Sequence, residues 1–231
     1  MKIGIIGSGE IGNVLARRLS GLGHQVALAN SRGPASLAGL ARETSVRPVE
    51  VAEAASAQDM VIVTIPMGKI ATLPKGLFKP DGAEVIVDTG NYYPRERDGR
   101  IADIEAGMPE SVWVSGQLGR PVIKAFNNIA AIRLLLATRK DNRPPGRIAL
   151  PVAGDDPRHK ATVMKLIEEL GFDPFDSGSL ADSWRQQPTT PVYVVDFPKE
   201  RIGDALARAS RERTPGFTGS ADSPGDWETP R

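Results

Sequence analysis

The chain has 231 residues, with 29 Lys and Arg against 28 Asp and Glu. That is about one and a half typical domains with almost no net charge, which argues against a long multidomain enzyme and against nucleic acid as a partner. Cysteine is absent and histidine occurs only at His24 and His159. Disulfides, thiolate metal sites and thiol nucleophiles are thereby removed, no metal site is expected, and a reducing, cytoplasmic setting is the plain expectation.

The first apolar run, Lys2 to Ile6, opens the chain as a strand rather than as an export signal. No run reaches the roughly 18 apolar residues of a membrane span, so no membrane partner is expected. Further strands are expected at Gln25 to Ala29, Met60 to Ile65, Glu84 to Asp88, Val122 to Phe126 and Ile148 to Ala153. All are apolar on both faces, as in a parallel sheet covered on both sides. Helical spacing appears between them at Ile11 to Leu22, Ala35 to Glu43, Val49 to Ala55, Ile129 to Thr138 and His159 to Leu170. This alternation predicts an α/β fold with a doubly wound, mostly parallel Rossmann sheet.

Beyond Gly171 the pattern weakens to a strand at Phe172 to Phe175, an extended piece at Val192 to Val195 and a helix at Ile202 to Ala209. The predicted organisation is a nucleotide-binding domain over 1–187 and a C-terminal extension over 188–231. From Arg211 onward, glycine and proline outweigh apolar residues. That tail is either disordered or laid along a partner through Phe217 and Trp227.

Gly7-Ser8-Gly9-Glu10-Ile11-Gly12 lies directly between the first strand and the first helix. In that setting Gly7 allows a tight turn, Gly9 allows a pyrophosphate close to the backbone, and Gly12 allows close helix packing. The helix N-terminus adds unpaired N–H groups and a partial positive charge. Glu10, a carboxylate beside an anion site, is expected to face solvent.

About twenty residues on, an NAD site would place an acid against the ribose hydroxyls. Here stand Asn30, Ser31 and Arg32. A hydroxyl and a guanidinium can bond a 2′-phosphate that a carboxylate would repel, so NADP(H) is the predicted cofactor, the alternative being an exposed turn arginine. Thr64-Ile65-Pro66-Met67, Asp88-Thr89-Gly90-Asn91 and Lys124-Ala125-Phe126-Asn127-Asn128 end later strands, at the edge where such sheets bind ligands. Ordinary turn and cap chemistry explains the same residue types equally well. His24 is expected on the opposite edge, His159 at a helix start behind Asp156, and Lys124 as a snorkelling strand residue.

MKIGIIGSGEIGNVLARRLSGLGHQVALANSR, VTIPMG, IKAFNN and PVAGDDPRHKATVMKLIEELGFDPFDSGSL together resemble the coenzyme F420-dependent NADP oxidoreductases, over about residues 1–187. The same fold forms the reductase domain of the six-transmembrane epithelial antigen metalloreductases. The resemblance implies hydride transfer between NADP(H) and a flavin-like, deazaflavin (coenzyme F420) or other small conjugated acceptor, in a homodimer. It places the pyrophosphate on Ser8 to Gly12, the 2′-phosphate on Ser31 and Arg32, and the ribose and nicotinamide on Thr64 to Met67. Asn30, Asn91, Ala125 and Asn127 join the cofactor site. Phe126, Asn127 and Trp184 are the ring-bordering candidates, with no acid or base required. The chain departs from the family after about residue 180, which leaves the acceptor open. A non-catalytic NADP-binding sensor or docking protein is the alternative.

Overall fold

The computed structural model describes residues 1–56, 59–136 and 147–212. Six strands form one sheet: β1 (Lys2–Ile6), β2 (Gln25–Ala29), β3 (Arg47–Pro48), β4 (Met60–Val63), β5 (Val85–Asp88) and β6 (Ile123–Lys124). Their order is β3-β2-β1-β4-β5-β6 and every pairing is parallel. The order reverses direction beside β1, which makes the carboxyl ends of β1 and β4 the switch point where such sheets hold ligands.

The strand pleat divides the apolar residues between two core layers. Ile3, Ile5, Met60, Ile62, Val85 and Val87 face a layer closed by α1 (Glu10–Gly21), α7 (Ala131–Leu136) and α8 (Pro157–Glu169). Ile6, Val61, Val63 and Ile86 face the other, which holds Met67, Tyr92, Trp113 and Val114. That second layer includes α3 (Val51–Ala55), α4 (Met67–Ile70), α5 (Ala102–Glu105) and α6 (Glu110–Leu118). The double-sided apolar strands thus become a buried sheet, as the sequence predicts.

Departures concern several elements. The predicted helix over 35–43 begins as a 3₁₀ turn, Pro34–Leu37, before α2 (Ala38–Glu43). α5 and α6 arise in a stretch where no helix was predicted; Val112, Trp113, Val114 and Gly116 in α6 are weak helix formers, so tertiary burial decides that element. The predicted strand at Ile148 to Ala153 does not extend the main sheet. It forms β7 (Ala149–Val152), paired in parallel with β8 (Asp173–Asp176) and joined to β6 by one antiparallel bridge between Lys124 and Ala153.

The extension packs on this smaller sheet. Val192 and the apolar face of α9 (Lys199–Ala207) form a third cluster with Ala149, through Ile202, Ala205 and Leu206. Val192 to Val195, predicted as extended, is a turn that continues into irregular backbone. Among the described residues no helix is long and apolar enough to cross a membrane. Phe217, Trp227 and Thr138 lie outside the described residues.

Candidate functional site

The glycine turn is built from close contacts. Gly7 has φ +114°, and a Cβ there would lie 2.2 Å from the Thr64 carbonyl oxygen. A Cβ on Gly12 would lie 2.0 Å from the Gly7 carbonyl oxygen. Both glycines are therefore required by β1, β4 and α1 packing together. Gly9 differs: nothing lies within 4 Å of its Cβ position, so the protein's own packing does not require it. Gly9 is also the N-cap of α1, with no side chain capping the helix. The result is an open helix N-terminus beside a bare backbone, which suits an anion.

From this turn runs a cleft of about 480 Å³. Gly9, Glu10 and Ile11 line it from the glycine turn, Thr64, Ile65, Pro66, Thr89, Gly90 and Asn91 from beyond the ends of β4 and β5, and Phe126, Asn127 and Ile129 from beyond the end of β6. Tyr93, Arg97, Tyr193 and Val194 complete it. The carboxyl ends of β1, β4, β5 and β6 thus meet in one crevice.

At the end of β2, Asn30 is buried and used internally. Its amide nitrogen donates to the hydroxyls of Ser8 (2.9 Å) and Ser36 (3.0 Å), and its carbonyl oxygen accepts from the Arg32 N–H (2.9 Å). It ties the glycine turn to the next turn, where Ser31 and Arg32 are both exposed. The Arg32 guanidinium has no ion-pair partner among the described residues. An exposed fork of donors with no acid at the strand end fits a 2′-phosphate.

Asn91 and Asn127 exchange two hydrogen bonds. Asn127 donates to Asn91 Oδ1 at 3.0 Å, and Asn91 donates to the Asn127 carbonyl at 2.9 Å. Buried Gln186 completes the set, donating to Asn127 Oδ1 (3.1 Å) while its own carbonyl accepts from Asn127 (2.7 Å). These amides shape the cleft wall.

Other predicted site residues lie elsewhere. Met67 and Ala125 are fully buried in the core layers. Trp184 does not line the cleft; it borders a separate hollow with Pro109, Gln187 and Pro188, its ring 4.5 Å from the Arg185 guanidinium and 4.8 Å from that of Arg211. Lys124 does not snorkel: it is wholly buried, 3.3 Å from Asp88 and 3.8 Å from Glu110. His24 is largely covered and sits 3.0 Å from Glu169, and His159 donates its N–H to the Asp156 cap. No metal-binding group of His, Asp and Glu occurs among the described residues.

The residues that sequence reasoning missed are Tyr93, Arg97 and Tyr193. Tyr93 and Tyr193, 100 positions apart, join hydroxyl to hydroxyl at the cleft. Burial pushes both phenols above their usual range, the effect on Tyr193 being the greater. Arg97 lies 5.0 Å from the Tyr93 ring and donates to the Asn91 carbonyl at 2.7 Å. No local motif could have joined residues so far apart in sequence.

Residues 2–92 match the family described as NADP oxidoreductase, coenzyme F420-dependent. The chain is 30% identical over 207 residues to Metalloreductase STEAP3 of Rattus norvegicus, covering 89% of this chain and 39% of that protein. It spans about half or less of the length of the curated relatives it matches. Among solved structures it is similar to the hypothetical protein SMa0349 of Sinorhizobium meliloti, with 31% identity, a TM-score of 0.71, and 86% and 96% of the two chains covered. A structure from Arthrobacter sp. FB24 that carries the name of an F420-dependent NADP reductase has 22% identity and a TM-score of 0.59, covering 79% of this chain and 87% of that one; at that identity it supports the fold alone. Residues 2–92 thus carry the pattern of the family described as coenzyme F420-dependent NADP oxidoreductases.

Proposed function

We propose that the cleft binds NADPH along its glycine-turn side and delivers hydride to a small conjugated acceptor, flavin-like, deazaflavin or otherwise, at its Phe126 side. The observation that carries this reading is the continuity of the cleft. Within about 480 Å³ it brings an uncapped helix N-terminus together with apolar and aromatic residues. That volume lies in the range of small-molecule sites.

In this reading Gly9 to Ile11 hold the pyrophosphate, Ser31 and Arg32 the 2′-phosphate, and Thr64 to Pro66 the nicotinamide half. The bound dinucleotide supplies an electron pair as hydride. The protein's part is to hold the acceptor against that ring and exclude water. Ile65 and Ile129 give apolar walls for this, Phe126 lying fully buried behind them in the core, and the Asn91–Asn127–Gln186 amides keep the wall in place. Residues 1–187 form the cofactor-binding unit, and the segment after Pro188 contributes the opposite wall through Tyr193 and Val194.

Fluorescence titration with NADPH and NADH tests the assignment. Arg32→Glu is expected to weaken NADPH binding by about tenfold or more, since a charge-assisted pair contributes about 1.5–3 kcal/mol, and to leave NADH nearly unchanged. Equal losses for both nucleotides would remove the 2′-phosphate clamp. Tight NADPH binding without oxidation by any flavin, deazaflavin, quinone or carbonyl acceptor would instead favour a non-catalytic sensor.

A further inference from the structure

We propose that the Tyr93–Tyr193 hydroxyl pair, backed by Arg97, is a proton-donating subsite, and that the acceptor it serves carries a carbonyl oxygen. The inference rests on the hydride-transfer reading and extends it to the acceptor's chemical class. Both tyrosines and Arg97 line the same cleft as Phe126 and Ile129. Two phenols carry two O–H protons, and only one of these can lie between their oxygens. An oxygen placed in the cleft can compete for the second.

The surroundings keep the pair in place. Tyr93 stands two residues beyond Asn91 in the loop after β5, and its N–H donates to Asp98 at 2.8 Å. Asp98 also accepts from the Gly68 N–H at 3.0 Å, fixing the single π-helical turn Pro94–Asp98 to α4. Tyr193 is presented by a strained turn. Val194 has φ +55°, in the left-handed region that β-branched residues avoid, and its N–H is held by the Asn128 carbonyl at 2.9 Å. Phe126, which also borders the cleft, has positive φ as well, at +61°. Strain at two positions bordering one cleft accords with a site that must hold a fixed geometry.

The step balances. The acceptor's carbonyl carbon gains the hydride, the C=O π pair moves to oxygen, and that oxygen takes a phenolic proton as the Tyr O–H bond breaks. The carbonyl is reduced to the alcohol, and the nicotinamide is oxidised. The phenolate left behind lies beside Arg97 and accepts the remaining O–H of the pair, until water returns the proton. Both phenols are protonated at neutral pH, and the Arg97 guanidinium offsets part of the burial that pushes them up, which eases loss of a proton.

The test compares cinnamaldehyde and menadione, which need a proton at oxygen, with N-methylacridinium, which takes hydride alone. Wild type, Tyr93→Phe and Tyr193→Phe are measured for NADPH affinity, for turnover, and for affinity of menadione to the NADP+-saturated protein, where no reduction can occur. The inference expects wild type to reduce a carbonyl substrate. Each Phe variant is expected to lose roughly 100-fold or more of that rate and several-fold of menadione affinity. The N-methylacridinium rate should fall far less, so that the ratio of carbonyl to N-methylacridinium turnover drops roughly tenfold or more. Carbonyl rates that survive both substitutions, or reduction of N-methylacridinium with no carbonyl turnover, would overturn the subsite while leaving hydride transfer standing. Failure of wild type to bind NADPH would overturn the underlying reading as well, and shows separately in the first measurement.

Discussion

Lys124 leaves β6 with its ammonium wholly buried, facing Asp88 at 3.3 Å and Glu110 at 3.8 Å, and it also donates to the Gly90 carbonyl. Asp88 accepts further bonds from the Ser111 hydroxyl at 2.7 Å and the Gly90 N–H at 2.8 Å. This cluster fixes the Gly90 turn in the cleft wall from below. Removing one member of a buried ion group costs about 3–5 kcal/mol, because the others remain buried and uncompensated. Lys124→Met is therefore expected to lower unfolding stability by about that amount in chemical denaturation; a loss below about 1 kcal/mol would mean that the carboxylates do not depend on it. A lone lysine at a strand end gave no hint of this in the sequence. Asp88 pairs with Lys124 only through the β5–β6 register, and Glu110 arrives on a helix that local propensity did not reveal.

At the scale of elements, the parts legible in the sequence are those whose pattern is local. β1, the glycine turn and α1 follow one another without a gap, and apolar alternation with helical spacing is enough to place them. The turn at Val192 to Val195 shows the opposite. Three valines in four residues suggest a strand, yet the Tyr193 N–H bonds the Thr190 carbonyl and the Val194 N–H bonds Asn128, across the chain. These bonds and the burial of Val192 outweigh intrinsic preference. Val194 is exposed and unfavourably twisted, so glycine there relieves strain of about 1–2 kcal/mol against an added backbone entropy cost of about 0.5–1 kcal/mol. Val194→Gly is accordingly expected to leave the melting temperature unchanged or raised by a few degrees. Its looser hold on Tyr193 should lower turnover of a carbonyl acceptor. A melting temperature that falls by several degrees would mean that Val194 packs more than its exposure suggests.

For the whole molecule, the cleft has one wall from the six-stranded sheet and one from the chain after β8, and Gln186 is where they are fastened. It is fully buried, bonded to Asn127 on the sheet side, to the Pro151 carbonyl on β7 at 3.2 Å and to the Ser177 hydroxyl after β8 at 2.7 Å. The glycine-turn and strand-end motifs of the sequence supply residues on the sheet side of the cleft. They could not locate this fastening, because a glutamine in the run Trp184-Arg185-Gln186-Gln187 reads as polar surface until three distant segments close on it. Gln186→Met keeps the volume but leaves Asn127, Pro151 and Ser177 each short of a partner. About 1–3 kcal/mol attends each buried polar group left unsatisfied, so the variant is expected to unfold several kcal/mol more easily and to melt about 2–4 °C lower for each of them. Asn127 and Asn91 line the cleft and share the network, so NADPH affinity should fall several-fold with it, and the gain in melting temperature on adding NADPH should shrink in proportion. Calorimetry with and without NADPH separates the two effects: a lower melting temperature with an unchanged NADPH dissociation constant would mean that the second wall braces the fold without shaping the nucleotide site.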